Sequence, residues 1–257
     1  MDRAFAEVVR DRGRDMGKPR SRGRTAVLDP GLSVEVQGSW LRMAAAYVDE
    51  AKIMTGTASL YTPEYLREKL AVYREHRVRP FLGGFFLERV FADNGIDGAA
   101  RYFDEALAYG FGALEVSSTT FDIAIEERAT LVRLAREKGL EVHGEIGSQS
   151  DVHGIDSLIA EAKAYLEAGS DVVIVEGAEL MRSGRPNAEF CARVSSELNL
   201  EKVYFELGGP WVKETHAWQV RALRTFLFDY FGPNVNLANV HLADIIETET
   251  FRWALGE

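Results

Sequence analysis

The chain has 257 residues, of which 46% are hydrophobic, and a formal net charge of −10. This length suits one βα barrel or two small domains, and the acidic balance argues against a nucleic-acid partner. No apolar run is long enough to span a bilayer, and no signal-peptide apolar region follows the N-terminal charges. We therefore expect a cytoplasmic protein without a membrane partner.

The first 24 residues differ in charge from the rest of the chain. They hold eight basic and four acidic side chains, a balance of +4, which leaves about −14 for the remainder. One interpretation is a solvated basic extension; the other is that its inner end, with Arg20, folds over an anionic substrate. No linker rich in Pro, Gly or Ser follows, so we predict an N-terminal extension over 1–24 and a single domain over 25–257.

Short apolar runs alternate with helical patterns along the remaining chain. Thr62 and Pro63 open one helical pattern, while Gly139 and Gly169 close two others. Strands separated by single helices pair in parallel through right-handed crossovers, and eight such units favour closure. The pattern predicts a (β/α)8 TIM barrel with strands at 25–31, 50–56, 79–85, 112–118, 141–147, 171–177, 202–208 and 234–240.

Four glutamates recur about every thirty residues, the length of one strand–helix unit. Each stands at the end of an apolar run, and they are Glu115, Glu145, Glu176 and Glu206. A βα barrel gathers the C-terminal ends of its strands around one mouth, so we expect these carboxylates to converge. Clustered negative charge is costly unless protons or a cation relieve it, which predicts a metal-assisted site.

Strand alternation adds further residues to this predicted layer. Side chains two apart share a face, so His143 lies one layer below Glu145 and is expected as a hydrogen-bonded core histidine. The same alternation and the cost of burying charge against apolar helices place Asp29 and Lys52 beside the glutamates. Lys52 is either an ion-pair partner or a proton donor.

Carboxylates suit a hard cation such as Mg²⁺, and we expect Glu145 and Glu176 to be its ligands. The sequence has no His/Cys set with zinc spacing. The alternative is that some of the glutamates form a buried ionic network with Lys52 and nearby arginines.

The loops of the last two predicted strands suggest a phosphate site. In many barrels these loops bind phosphate through backbone N–H groups. Gly208 and Gly209 allow close approach, and Asn236 and Asn239 can add side-chain donors. A plain tight turn would give the same glycines. No P-loop or dinucleotide fingerprint is present, so nucleotide binding is not supported.

The chain resembles the phosphosulfolactate synthase family, which also includes heat-stress-associated plant proteins. The resemblance runs from Lys18 to about Gly256. It rests on KPRSRGRT (18–25), LDPGL (28–32), AKIMTGTAS (51–59), LGGFF (82–86), LEVSS (114–118), GEIG (144–147), VVIVEG (172–177), VYFEL (203–207) and FGPNVNLANV (231–240).

This resemblance implies Mg²⁺-dependent addition of sulfite to phosphoenolpyruvate, a lyase-type reaction related to coenzyme M biosynthesis. Small anionic substrates would then be the partners. Cationic side chains must hold two anions together, and Lys52, Arg20 and Arg182 are the candidates. Glu115 and Glu206 would orient waters or substrate. The helix TFLFDYFG (225–232) is compatible with homo-oligomerisation and equally with ordinary core packing.

The chain departs from the family where substrate should lie. Ser148 stands where the synthases usually carry a lysine, a proposed proton donor, and the segments EGAELMRSG (176–184) and GGPWVKETH (208–216) are altered. Trp211, Lys213 and His216 in the second segment could line the pocket, or pack as part of a surface loop. Two alternatives therefore stay open: related chemistry on another phosphorylated or carboxylated substrate, and a non-catalytic stress-related protein.

Overall fold

The computed structural model describes residues 4–148, 153–213 and 215–256. Eight parallel strands close into a barrel in the order β1-β10-β9-β6-β5-β4-β3-β2, which confirms the predicted (β/α)8 TIM barrel. The barrel strands are β1 Thr25–Asp29, β2 Glu50–Ile53, β3 Arg79–Leu82, β4 Ala113–Val116, β5 Glu141–Ile146, β6 Val172–Val175, β9 Val203–Glu206 and β10 Leu237–His241.

Eight helices of the described chain surround the barrel, and a small hairpin follows β6. The hairpin, β7 Met181–Arg182 with β8 Arg185–Pro186, has no counterpart in the predicted strand pattern. The helices are α1 Val34–Ala44, α2 Pro63–Glu75, α3 Gly84–Tyr109, α4 Ile125–Glu137, α5 Ile155–Ala168, α6 Ala188–Glu197, α7 Ala217–Phe231 and α8 Ile245–Arg252. No described helix is both long enough and apolar enough to cross a membrane.

The expected helix signals are present. The Thr62 hydroxyl accepts a hydrogen bond from the Tyr65 amide at 3.3 Å, and Pro63 occupies the first turn of α2. Gly169 ends α5 in the left-handed region at φ +109°, which a residue with a Cβ rarely adopts. The first seven predicted strands end one to three residues earlier than expected, because their last residues already belong to loops.

The barrel wall separates two apolar layers. The outer layer packs the strands against the helices, while the inner layer fills the barrel. Gly144 on β5 faces outward as expected: a Cβ there would lie 2.4 Å from the Tyr165 ring of α5. The inner layer consists of Ala26, Phe81, Ala113, Val172, Ile174, Tyr204 and Ala238.

Asp29 was predicted to face into the barrel beside the glutamates, and this prediction is wrong. Val27 belongs to the outer layer and Ala26 to the inner one, so alternation along β1 turns Asp29 outward. There its carboxylate lies 2.5 Å from the Lys69 ammonium and accepts a 2.6 Å hydrogen bond from the Tyr73 hydroxyl. Helix α2 thus supplies the polar partners that make an outward, fully buried carboxylate tolerable.

The end of the N-terminal segment packs on the N-terminal end of the barrel. Arg14 pairs with Glu249 at 2.7 Å, and Arg20 pairs with Asp49, just before β2, at 2.9 Å. The Gly23 amide donates to the Asn234 carbonyl at 2.7 Å. This part of the extension is not a solvated arm, because Arg14 and Arg20 are buried. Both lie at the end of the barrel opposite the glutamates.

Candidate functional site

The four glutamates and Lys52 meet at the C-terminal mouth of the barrel. Lys52, Glu115 and Glu145 are the next-to-last residues of their strands, Glu206 ends β9, and Glu176 directly follows β6. All five are buried. Together they line a cavity of about 110 Å³ whose other walls are Leu28, Met54, Thr55, Gly83, Gly84, Phe85, Trp211 and Asn239.

Lys52 is the ammonium at the centre of this cluster. Its Nζ lies 2.7 Å from Glu115 Oε2, 3.1 Å from Glu206 Oε1 and 3.5 Å from Glu145 Oε2. Burial by itself would lower the pKa of Lys52, but the three carboxylates outweigh it and raise that pKa well above its ordinary value. Lys52 is therefore firmly protonated at neutral pH.

Three of the glutamates form a compact oxygen cluster. Glu145, Glu176 and Glu206 each offer one carboxylate oxygen, and these oxygens all lie within 4.8 Å of one another. Burial, followed by the charge of Glu115, raises the pKa of Glu145 to about 8. Burial and the charge of Glu145 raise the pKa of Glu176 to about 7, and burial also raises that of Glu206.

The charge of the cluster is unbalanced. Four carboxylates face one ammonium, and Lys52 makes ion pairs with only three of them. A purely structural ionic network would need more positive charge than this, because each uncompensated buried carboxylate costs several kcal/mol. Protons held by the raised-pKa carboxyls, or a bound cation, would supply that charge.

Backbone close to Glu115 fixes its position. The Gly84 amide, at the start of α3, donates to Glu115 Oε1 at 2.8 Å. A Cβ at Gly84 would lie 2.0 Å from the Ser117 hydroxyl oxygen, so only glycine allows this approach. The first helical turn after β3 thereby presents an N–H group to the carboxylate.

Asn239 contributes an unsatisfied polar group to the cavity. Its side chain is buried, and Oδ1 has no hydrogen-bond partner within the part of the chain that the structure describes. Its backbone lies in the left-handed region at φ +55°, and that of Thr55, on the same cavity, at φ +48°. Such strain is most often found at functional sites, and a buried amide oxygen without a partner is a ready position for a ligand.

Trp211 lies between this cavity and a larger one. Its ring lines the carboxylate cavity and lies 5.8 Å from the His241 ring, which lines the neighbouring space. That second cavity, of about 510 Å³, is bounded by the loop after β9 and by the start of α7. Its polar and glycine walls include Gly208, Gly209, Thr215, His216, Arg221, Arg224 and Glu247.

Comparison with known proteins gives the family. Residues 13–256 match the (2R)-phospho-3-sulfolactate synthase (ComA) family. This chain belongs to the phosphosulfolactate synthase family. A phosphosulfolactate synthase of Methanocaldococcus jannaschii is 28% identical over 245 residues, which cover 91% of this chain and 92% of that protein. The Bacillus subtilis phosphosulfolactate synthase is 26% identical, with 93% and 92% covered.

The chain is also similar to a protein that is not named as a synthase. The Arabidopsis thaliana protein HEAT-STRESS-ASSOCIATED 32 is 25% identical over 263 residues, covering 91% of this chain and 87% of its own. Solved structures share the barrel. A phosphonopyruvate hydrolase complex with oxalate and Mg²⁺ matches at TM-score 0.54 and 16% identity, covering 87% of this chain and 77% of its own. Deoxyribose phosphate aldolase from Aeropyrum pernix matches at TM-score 0.55 and 15% identity, with 90% and 91% covered.

Three of the predicted substrate-binding residues do not line the carboxylate cavity. Arg20 is at the opposite end of the barrel, bound to Asp49. Asn236 is also at that end, where its Nδ2 donates to the Val203 carbonyl at 3.1 Å. Arg182 lies on the β7–β8 hairpin with a side chain 67% exposed, 3.7 Å from Glu189. Their polar character alone did not reveal which end of a strand or loop they occupy.

The core histidine is placed as expected, but its contacts differ. His143 lies inside the barrel below Glu145, with its Nε2 3.4 Å from Glu50 Oε1 and its ring 4.6 Å from that of Phe81. Neither ring nitrogen makes a hydrogen bond of good geometry within the described chain.

Thr119 is a site residue that the sequence reasoning missed. Its hydroxyl donates to Glu145 Oε1 at 2.9 Å. The only signal was its place in the loop directly after β4. Ser148 is buried and its amide donates to Glu179 at 3.4 Å, while residues 149–152 of the same segment lie outside the described residues.

Proposed function

We propose that the chain catalyses the divalent-cation-dependent addition of sulfite to phosphoenolpyruvate, giving phosphosulfolactate. The observation that carries the proposal is the cluster of four buried carboxylates around one ammonium at the barrel mouth. Family membership supports it, since the relatives from M. jannaschii and B. subtilis bear the name of this activity.

The donor set fits Mg²⁺. Glu145, Glu176 and Glu206 offer oxygen atoms only, which is the ligand type that this hard cation prefers. Their raised pKa values reflect a need for positive charge that a dication would meet. When bound, Mg²⁺ would stabilise negative charge that develops on the substrate carboxylate.

Lys52 has two tasks in this proposal. As an ammonium before the reaction it attracts the carboxylate or phosphate of phosphoenolpyruvate, which offsets repulsion between two anionic substrates. Sulfite sulfur bonds to the methylene carbon, and the double-bond electrons move onto the adjacent carbon and carboxylate. That carbon then takes a proton, and Lys52 can donate it because a carbanion is far more basic than an amine. With serine at position 148, Lys52 is the one cation among the described residues that line the cavity.

The phosphate of the substrate would occupy the neighbouring cavity. Gly208 and Gly209 follow β9, and His216 precedes α7, whose N-terminus favours anions. Arg221 and Arg224 line the same space and bond to Glu247 at 3.0 and 2.6 Å. Trp211 lies on the path between the two cavities, so its displacement would let one substrate span both.

Phosphorus NMR of the purified protein with phosphoenolpyruvate, sulfite and Mg²⁺ tests the proposal. We expect the phosphoenolpyruvate signal to be replaced by that of a saturated phosphate ester, with no release of inorganic phosphate. Lys163→Met, on an exposed pair with Glu197, should retain the activity, and Lys52→Met should lose it. Unchanged phosphoenolpyruvate at high protein concentration would refute this substrate pair.

A second candidate keeps the site and changes the nucleophile. Two departures from the family pattern favour it. The altered loop after β9 places Trp211 on the wall of the carboxylate cavity, and Ser148, where the resemblance implies a lysine, stands three residues after Glu145. A panel of sulfite, thiols, phosphonates and carbanion-forming acids with phosphoenolpyruvate would separate the two. Consumption with another nucleophile but not with sulfite would establish this second candidate.

A non-catalytic role is the third candidate, supported by the likeness to the A. thaliana heat-stress protein. Buried charge without a ligand is costly, which argues against it. Replacing Glu145 and Glu176 with glutamine decides the matter in cells that depend on the protein: retained function would favour the non-catalytic role.

A further inference from the structure

A second polar cavity lies at the N-terminal end of the barrel, opposite the glutamates. It has a volume of about 640 Å³ and is bounded by the N-terminal segment, the end of α2 and the starts of β2, β3 and β5. Its charged walls are six basic residues, Lys18, Arg20, Arg24, Arg74, Arg77 and Arg79, and three acidic ones, Asp49, Glu50 and Glu141. We call this space the basal cavity.

The three carboxylates of the basal cavity form ion pairs with two arginines, Arg20 and Arg79. Asp49 accepts from Arg20 at 2.9 Å. Glu50 and Glu141 both pair with Arg79, and Glu50 also accepts a 2.5 Å hydrogen bond from the Tyr204 hydroxyl. Among the described residues, none of these carboxylates forms an ion pair with the other four cations that line the cavity.

Three of those four cations donate hydrogen bonds to backbone carbonyls, which carry no net charge. Lys18 donates to the carbonyls of Ala45 and Arg77 at 2.8 and 3.1 Å. Arg24 and Arg74 each donate to one carbonyl, at 2.7 and 3.0 Å. The Arg77 guanidinium has no hydrogen bond or ion pair within the described part of the chain.

The excess positive charge affects the ionisation of Lys18, which lines the cavity. Burial, with contributions from Arg20 and Arg77, lowers the pKa of Lys18 to about 8 even though Asp49 acts in the opposite direction. Like charges held near one another repel, and an anion among them would remove that cost. The whole chain has a net charge of −10, so this cluster of cations differs in sign from the protein as a whole.

Anchoring of the N-terminal segment does not account for all of these cations. Lys18 and Arg20 bind the carbonyls of Ala45 and Ala46 and so hold the segment to the barrel. Arg74 and Arg77 lie on the other wall, at the end of α2, and their guanidinium groups make no bond to that segment. Gly110, at φ +95°, leaves room for the Arg74 side chain to lie across this wall.

We propose that the basal cavity binds a small organic anion that carries phosphate or diphosphate, at a site separate from the carboxylate cavity. Arginine forks and one ammonium are the donors that recognise phosphate oxygens. The cavity has the size of a small-molecule site. The proposal is independent of the reaction at the mouth and would stand if that reaction were different.

Calorimetric titration with pyrophosphate in Mg²⁺-free buffer tests this site. The double variant Arg74→Gln/Arg77→Gln should bind at least about tenfold more weakly than the unaltered protein, since two charge-assisted contacts are lost. The charge-matched control Arg101→Gln/Arg133→Gln, at exposed positions on α3 and α4, should bind as the unaltered protein does.

Hydrogen exchange locates the site independently of affinity. Pyrophosphate should slow exchange of backbone amides around 74–82, and the Arg74→Gln/Arg77→Gln variant should lose this protection while any protection around 206–216 remains. Equal affinity of the Arg74/Arg77 variant and the unaltered protein would overturn the proposal. So would an absence of saturable binding up to 10 mM pyrophosphate, or protection confined to the barrel mouth.

Discussion

Both ends of the barrel bury glutamates, yet the two environments shift their pKa values in opposite directions. At the N-terminal end, burial would raise the pKa of Glu50, but His143, Arg79 and Arg24 outweigh it and hold that pKa well below its ordinary value. At the mouth, burial and the charge of Glu115 raise the pKa of Glu145 to about 8. Burial is equally complete at both, so the supply of cations decides the outcome.

This difference in pKa distinguishes Glu50, which belongs to a structural ion pair, from Glu145, which lines a candidate binding site. Glu50 is satisfied by Arg79 and the Tyr204 hydroxyl, which leaves it no capacity for a ligand. The mouth shares one ammonium among four carboxylates and keeps a cavity beside them. An unmet charge next to open space marks the end of the barrel where a cation and an anionic substrate would bind.

Of the substitutions that test this comparison, replacement of Lys52 should have the largest effect on activity and stability. Lys52→Met leaves four carboxylates without an ammonium, and we expect sulfite addition to fall by at least about a thousandfold. The free energy of unfolding should fall by about 3–5 kcal/mol at pH 8, because buried charges lose their partner. Rate assays and urea unfolding measure both, with Lys163→Met as the control. Activity within tenfold of the unaltered protein would contradict the role of Lys52.

Matched glutamate variants at the two ends should change stability in opposite directions. Glu50→Gln removes a satisfied carboxylate and should destabilise the metal-free protein by about 3–5 kcal/mol at pH 8. Glu145→Gln removes one of four carboxylates that share a single ammonium and should stabilise it by about 1–3 kcal/mol. Urea unfolding of the two variants side by side measures this. A loss of similar size in both would erase the distinction between the two ends.

The pH dependence of stability follows from the raised pKa values of the carboxyl groups at the barrel mouth. Glu145 and Glu176 have raised pKa values of about 8 and 7, so the folded protein binds more protons than the unfolded chain above pH 4.5. Their contribution to stability is therefore greatest at acidic pH and is lost as pH rises through 7 and 8. The slope approaches about 1.4 kcal/mol per pH unit for each group. Thermal unfolding of metal-free protein from pH 6 to pH 9 should show this fall, and Glu145→Gln should flatten it.

The smallest effect is expected at Arg182. The family resemblance suggested substrate binding, but its side chain is 67% exposed and pairs with Glu189 at 3.7 Å. Arg182→Ala should change kcat/KM by less than about twofold, as expected for an exposed pair. A loss of tenfold or more would show that the hairpin moves onto the substrate.

Much of the mouth could be predicted because its signal is topological. Glu115, Glu145, Glu176 and Glu206 each end an apolar run, and the ends of parallel strands share one rim whatever the details of packing. The fold followed from the same regular alternation of strand and helix. Neither inference needed the contacts of any single side chain.

The errors came from features that depend on partners distant in sequence. Asp29 was expected inside the barrel, but an ion pair with Lys69 and a hydrogen bond from Tyr73, both on α2, stabilise it facing outward. Arg20 and Asn236 are polar residues next to strands, yet their positions precede or begin those strands rather than end them. Thr119 and Trp211 reach the cavity through loop conformations that periodicity does not specify.

Magnesium titration of metal-free protein at pH 7, in two buffers of different ionisation enthalpy, tests the central claim most directly. If Glu145, Glu176 and Glu206 share protons that a dication displaces, binding will be saturable and release on the order of one proton. The affinity will then rise between pH 6 and pH 8.5. No saturable binding, or binding without proton release and with the same affinity across this range, would contradict the account.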